Sequence, residues 1–187
     1  MRPAIFLDRD GVIIENCPNY VRSWEDVQIF APAVAALTKL VATPYAVVLV
    51  TNQSAVGRGI LSLEQAHSIN TRLVKTIVQA GGRVEGVYLC PHAPADQCDC
   101  RKPRPGMFHQ AAQELSLDLS QSMMIGDAYT DLLAGQRAGV GKIALVRTGR
   151  GAAQAQNPPP SELGKYFVYE TLAEALDALL GAERLGS

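Results

Sequence analysis

A doubly wound, mostly parallel α/β sheet is the fold this 187-residue sequence predicts. Three observations predict it. Short β-rich apolar runs alternate with helix-period patterns about six times along the chain. Three of those runs end directly in polar clusters: Leu7 before Asp8, Val50 before Thr51, and Ile125 before Gly126-Asp127. Parallel sheets gather their reactive groups in this way, beyond the carboxyl ends of the strands. Finally, 48% hydrophobic and 19% charged residues at this length suit one globular domain with its own core.

The elements follow in order. Residues 4–7 read as a buried first strand and residues 46–50 as a second. Between them Val34, Leu37, Leu40 and Val41 recur at helical spacing behind Pro32, a residue suited to a first turn. Ser62 and Gln65 have the spacing of a capping box. The helix they open runs to the Gly81-Gly82 stop, with Leu63, Ala66, Ile69, Leu73 and Ile77 on its inner face. A third strand is expected over residues 84–89 and a helix over 105–115. Strands at 122–125 and 143–146 flank a helix over 130–138 that Gly139 ends. Residues 166–168 suit an edge strand, and Thr171 with Glu174 caps a last helix carrying Leu172, Ala175, Leu176 and Leu179. Residues 15–26 and 152–164, with Pro158-Pro159-Pro160, resist regular assignment. Neither is long enough for a second domain, so residues 1–187 are expected to form one.

Composition narrows the function. Lys and Arg total 17 against 18 Asp and Glu, a net charge of −1 that argues against a nucleic-acid partner. No apolar run approaches the ~20 residues of a membrane span. The apolar stretch from Pro3 to Leu7 runs into Asp8, Arg9 and Asp10, unlike a secretory signal, so a cytoplasmic protein is expected. With no extended exposed apolar face in the pattern, a monomer is the default. Four cysteines are too few for a disulfide scaffold.

Candidate chemistry sits where strands end. In Asp8-Arg9-Asp10-Gly11-Val12 two carboxylates two residues apart repel each other, and only a cation or a proton makes them stable together. Oxygen ligands from Asp8, Asp10 and a third carboxylate suit Mg²⁺; Asp127 offers the third and Asp131 a supporting partner. A capped turn and a solvated helix residue would leave the same letters. Thr51-Asn52-Gln53-Ser54 supplies a hydroxyl, amides and loop N–H groups for an anion, or else a helix cap. The cations of Arg101-Lys102-Pro103 suit a phosphate, and equally a solvated turn. Cys90, His92, Cys98 and Cys100 offer three thiolates and an imidazole, a set suited to tetrahedral Zn²⁺. Since protein fills all four positions, that site is expected to be structural. It would pin the loop over residues 90–102 and hold Arg101 and Lys102 over the strand ends. His67 and His109 fall on predicted helices, and Cys17 has no assigned role.

In chain order, a strand-end DxDGV, a strand-end Thr51, a loop Lys102 and a strand-end GDxxxD resemble the four motifs of the haloacid dehalogenase (HAD) superfamily phosphatases. The resemblance implies a Rossmann-like sheet and attack of Asp8 on phosphorus to form an aspartyl-phosphate. It implies Asp10 as acid and then base, and Mg²⁺ held by Asp8, the Asp10 backbone carbonyl and Asp127. Thr51 and Lys102 would stabilise the transferring group, and Asp131 would orient Lys102 or a metal-bound water. Short segments between the motifs imply no separate cap domain.

A zinc loop of this spelling is similar to those of two relatives within that superfamily. These are the D-glycero-D-manno-heptose 1,7-bisphosphate 7-phosphatases and the histidinol-phosphate phosphatases. FLDRDGVI, NYV, TNQSAVGRG, CRKPRPGM and VRTGRG resemble the heptose enzymes, which act on the route to nucleotide-activated heptose for lipopolysaccharide or another glycoconjugate. That implies a small sugar bisphosphate touched by Asn19, Tyr20, Asn52, Gln53, Ser54 and Arg101, with Arg101 and Arg58 gripping its second phosphate. Two positions depart from the pattern. Ala128 stands where those enzymes can carry Lys, and Ala55 where TNQSG has glycine.

Overall fold

Every residue of the first strand is buried, so apolar layers must cover both of its faces. The computed structural model, which describes residues 1–185, shows those two layers. Its strands are β1 (Ala4–Leu7), β2 (Ala46–Asn52), β3 (Gly86–Cys90), β4 (Met123–Gly126), β5 (Lys142–Val146) and β6 (Phe167–Tyr169). The helices are α1 (Ala31–Thr38), α2 (Ser54–Gly57), α3 (Leu63–Gln79), α4 (Gly106–Leu115), α5 (Tyr129–Ala138), α6 (Gly151–Ala155) and α7 (Leu172–Leu185). Ile5 and Leu7 join one layer with Leu37 of α1, Leu73 and Ile77 of α3, and Leu176 of α7. Ala4 and Phe6 point the other way, to Phe108 of α4 and Leu132 of α5. The Phe6 and Phe108 rings lie 4.8 Å apart between centroids.

The strands form one sheet in the order β3-β2-β1-β4-β5-β6, and every pairing is parallel. From β1 the chain builds outward through β2 and β3, then returns to the other side for β4, β5 and β6. That reversal opens a crevice at the carboxyl ends of β1, β2 and β4. Leu7 pairs with Leu49 on one side and Ile125 on the other, which brings Asp8, Thr51 and Asp127 to nearly one level. No separate cap is evident among the described residues, and no helix there is long and apolar enough to cross a membrane.

Several expectations shift in detail. Pairs Thr51↔Leu89 and Asn52↔Cys90 extend β2 past Val50, so Thr51 lies on the strand instead of after it. β4 starts at Met123 because the Ser122 hydroxyl accepts the Ala4 N–H at 2.9 Å. The capping box of α3 forms in both directions, with Gln65 N–H to Ser62 Oγ at 3.0 Å and Ser62 N–H to Gln65 Oε1 at 2.9 Å. Leu63, however, sits in the exposed first turn of α3, and the buried stripe includes Asn70. Val41 also faces solvent, because α1 tightens into a 3₁₀ turn at Lys39 and rotates it off the apolar face. Helices α2 and α6 have four and five residues, too short to show a period.

Phe108→Ala should cost about 3–5 kcal/mol in urea unfolding followed by circular dichroism, through the cavity left against Phe6. Val41→Ala should stay within about 0.5 kcal/mol of the parent.

Candidate active site

The end of β1 is fixed first. Asp8 N–H bonds the Ile125 carbonyl at 3.1 Å, and the Arg9 carbonyl accepts the N–H groups of Ile13 and Ile14 at 3.0 and 3.1 Å. Gly11 takes a φ of +83°, where a β-carbon would also collide with the Asp127 carboxylate. This tight turn lets the segments after β1 and β4 touch.

Asp8, Asp127 and Asp131 meet there, each offering an oxygen within 4.8 Å of the others, at 4%, 0% and 2% exposure. Lys102 Nζ lies 2.9 Å from Asp8 Oδ1 and 2.7 Å from Asp131 Oδ1, and donates to the Val50 carbonyl at 2.8 Å. Asn52 holds the Lys102 backbone from both sides, accepting its N–H and donating to its carbonyl, each at 3.1 Å. Asp131 also accepts the Ala128 N–H at 3.1 Å, in the first turn of α5. Asp127 accepts from Asn16 Nδ2 at 2.6 Å and Arg150 N–H at 2.8 Å, and the Arg150 guanidinium reaches it at 3.2 Å.

Three buried carboxylates therefore share two cations. Burial pushes Asp8 up to about 7; Asp131, Asp127 and Asp10 add to the rise and Lys102 opposes it. Burial and Asp131 raise Asp127 as well, against Arg150. Lys102 is held above its ordinary value because Asp131 and Asp8 outweigh the burial that disfavours its charge. The lysine thus gains from the arrangement while Asp8, sharing that one cation, does not. Asp8 Oδ1 is buried and meets the Lys102 ammonium as an ion pair at 2.9 Å. An all-oxygen donor set with surplus negative charge fits a hard divalent cation such as Mg²⁺.

The expected oxygen ligands included Asp10, whose carboxylate lies outside the group formed by Asp8, Asp127 and Asp131. The Asp10 carboxylate turns away to the Arg9 guanidinium at 3.0 Å and Gln53 Nε2 at 3.0 Å, and Asp131 completes the cluster.

A cavity of about 600 Å³ opens beside this cluster. Tyr20, Asn52, Gln53, Ser54 and Arg101 line it, together with Asp8, Asp10 and Lys102. Asn19 and Arg58 are exposed and lie outside its lining. Thr51 is buried, its hydroxyl accepting Gln53 Nε2 at 2.8 Å. Asn16 and Arg150 line the cavity although sequence reasoning gave neither a role. Both sit in loops without a strand-end signal, Asn16 inside the unassigned stretch 15–26 and Arg150 at the end of VRTGR.

Cys90, His92, Cys98 and Cys100 also converge, with one ligand atom each inside 4.8 Å and sulfur–sulfur distances of 2.9 to 3.5 Å. Burial pushes the Cys90 and Cys100 thiols up. A soft-ligand cation that replaces their protons would remove that cost, so the donor set fits zinc. The loop is tied to α2 by Gly57 N–H to the Pro91 carbonyl at 2.7 Å, and Arg101 Nη1 donates to the His92 carbonyl at 3.2 Å.

Residues 99–175 match the HAD-hydrolase-like family model. D-glycero-β-D-manno-heptose-1,7-bisphosphate 7-phosphatase of Photorhabdus laumondii is 42% identical over 156 residues, covering 79% of this chain and 82% of that protein. The Pasteurella multocida protein of the same name is 38% identical over 184 residues, covering 93% and 95%. Among solved structures, D,D-heptose 1,7-bisphosphate phosphatase from B. bronchiseptica, complexed with magnesium and phosphate, superposes with a TM-score of 0.88 at 34% identity. The match covers 96% of this chain and 99% of that one.

The Asp8 shift sets a pH dependence for metal-free protein. Between about pH 4 and about 7 the folded chain keeps a proton that the unfolded chain has released. The stabilisation from that proton is complete below the lower value and lost as pH rises through the upper one. Urea midpoints in EDTA should therefore fall from pH 5 to 7.5 more steeply for the parent than for Asp8→Asn, and Mg²⁺ should restore the parent most at pH 7.5. A parent that gains on Asp8→Asn over this range would contradict the assignment.

Proposed function

Since the chain belongs to the HAD family of D-glycero-β-D-manno-heptose-1,7-bisphosphate 7-phosphatases, we propose that it hydrolyses the C7 phosphate of that heptose bisphosphate. It is a phosphomonoester hydrolase. The observation that carries the reading is the buried cluster of Asp8, Asp127, Asp131 and Lys102 beside a solvent-open cavity. Relatives named for the heptose reaction, at 38% and 42% identity, favour it over histidinol phosphate.

Asp8 is the nucleophile in this reading. One of its carboxylate oxygens bonds to phosphorus as the bond from phosphorus to the C7 oxygen breaks. Asp10 gives its proton to the departing alkoxide. Water then attacks the aspartyl-phosphate, Asp10 takes the proton from that water, and the Asp8–phosphorus bond breaks to release phosphate. Lys102 and Thr51 stabilise the transferring oxygens, with Asp131 orienting Lys102. Asp8, the Asp10 carbonyl and Asp127 would hold Mg²⁺, which when bound supplies the positive charge that lets an anionic nucleophile meet an anionic phosphate. Tyr20, Asn52, Gln53, Ser54 and Arg101 bind the sugar and its second phosphate. Cys90, His92, Cys98 and Cys100 would hold structural Zn²⁺, which keeps Arg101 over the cavity.

Asp8→Asn should lower phosphate release at least about a thousandfold without unfolding the chain. On the parent enzyme, kcat/KM should favour the heptose bisphosphate over histidinol phosphate; the opposite order overturns the substrate. Purified protein should carry one zinc per chain by elemental analysis. Cys98→Ser should lose it and raise KM more than it lowers kcat.

A further inference from the structure

Arg9 is the largest of the fully buried side chains, and it stands between Asp10 and α3. Its Nε donates to Asp10 Oδ2 at 3.0 Å and its Nη2 to Asp10 Oδ1 at 3.1 Å, a two-pronged grip on the carboxylate. The remaining arm, Nη1, donates to Asn70 Oδ1 at 2.8 Å. Asn70 is buried on the inner stripe of α3, among Ala66, Ile69 and Leu73, where the helical period calls for an apolar residue.

We propose that Asn70 is a positioning residue for Asp10, acting through the Arg9 guanidinium. The assignment rests on the reading of Asp10 as acid and base. Stability alone does not account for an amide at this place. Its Nδ2 is buried and finds no hydrogen-bond partner, a cost that an aliphatic side chain would not carry. What the amide does supply is an acceptor for the one arm of Arg9 that Asp10 leaves open. The guanidinium is rigid, so fixing Nη1 fixes the plane in which Nε and Nη2 present their hydrogens to the carboxylate. Gln53 Nε2 steadies the same carboxylate from the cavity side at 3.0 Å. The acid is thus held between a cavity residue and a core helix whose Asn70 lies 61 residues from Arg9 in sequence. Without Asn70 the guanidinium can pivot about its bonds to Asp10, and the proton loses its aim at the departing oxygen.

Such a role has a signature that depends on the leaving group. Protonation matters most for a basic alkoxide and little for a weakly basic phenolate. kcat/KM reports only the steps through release of the alcohol, so it isolates this effect from the later hydrolysis. Asn70→Leu fills the volume without an acceptor, and Asn70→Ala serves if the leucine variant does not fold. The variant should lower kcat/KM on the heptose bisphosphate about tenfold, a fraction of what general acid catalysis contributes. On p-nitrophenyl phosphate the loss should be less than about twofold. Asn70→Asp, which keeps the acceptor, should restore the bisphosphate rate, and Asp10→Asn should show the same selectivity more strongly. If Asp10→Asn slows both substrates equally, the reading of Asp10 fails. If Asp10→Asn discriminates while the Asn70 variant slows both alike or neither, the Asn70 assignment is overturned.

Discussion

One buried ammonium group, Lys102 Nζ, between the carboxylates of Asp8 and Asp131 is the constraint on which the site depends. Neither acid sits comfortably at this depth without a cation, and Lys102 could not stay charged there without them. To deliver that cation the chain must bring a loop residue to the ends of two strands, which Asn52 achieves by clasping the Lys102 backbone. The ion pair leaves the cluster short of positive charge. That shortage makes the place suitable both for a divalent cation and for a nucleophile that is costly to keep ionised.

The sheet and the acidic positions were legible in the sequence because they follow from local rules. A buried strand needs an unbroken apolar run, and a polar group directly after it has nowhere to go but the rim of the sheet. Asp8 and Asp127 could be found this way, Lys102 only through the order of the motifs, and the spacing of Cys90, His92, Cys98 and Cys100 found the second cluster. The orientation of Asp10 could not be read, since it depends on how the chain turns after β1 and on a buried guanidinium. Arg150 and Asn16 were equally hidden. Each reaches Asp127 from a loop, and no periodicity marks a loop residue that will point inward.

Asn70 illustrates the same limit from inside a helix. The period of α3 identifies a buried position there, yet an amide in a stripe of aliphatic residues looks like a lapse in pattern. Only the position of Arg9 turns that lapse into a contact. Departures from local consistency are where a fold has been bent to a task, and the sequence marks the departure without naming the task.

No separate cap is evident over the site among the described residues, and this bears on the fate of the aspartyl-phosphate proposed above. A lid would shelter an acyl phosphate and give it time to pass its group to a second alcohol. In the reading proposed above, the cavity of about 600 Å³ beside Asp8 would instead admit water to the phosphorylated carboxylate. Such access would favour hydrolysis over transfer, and would leave discrimination among phosphate esters to side chains around the rim.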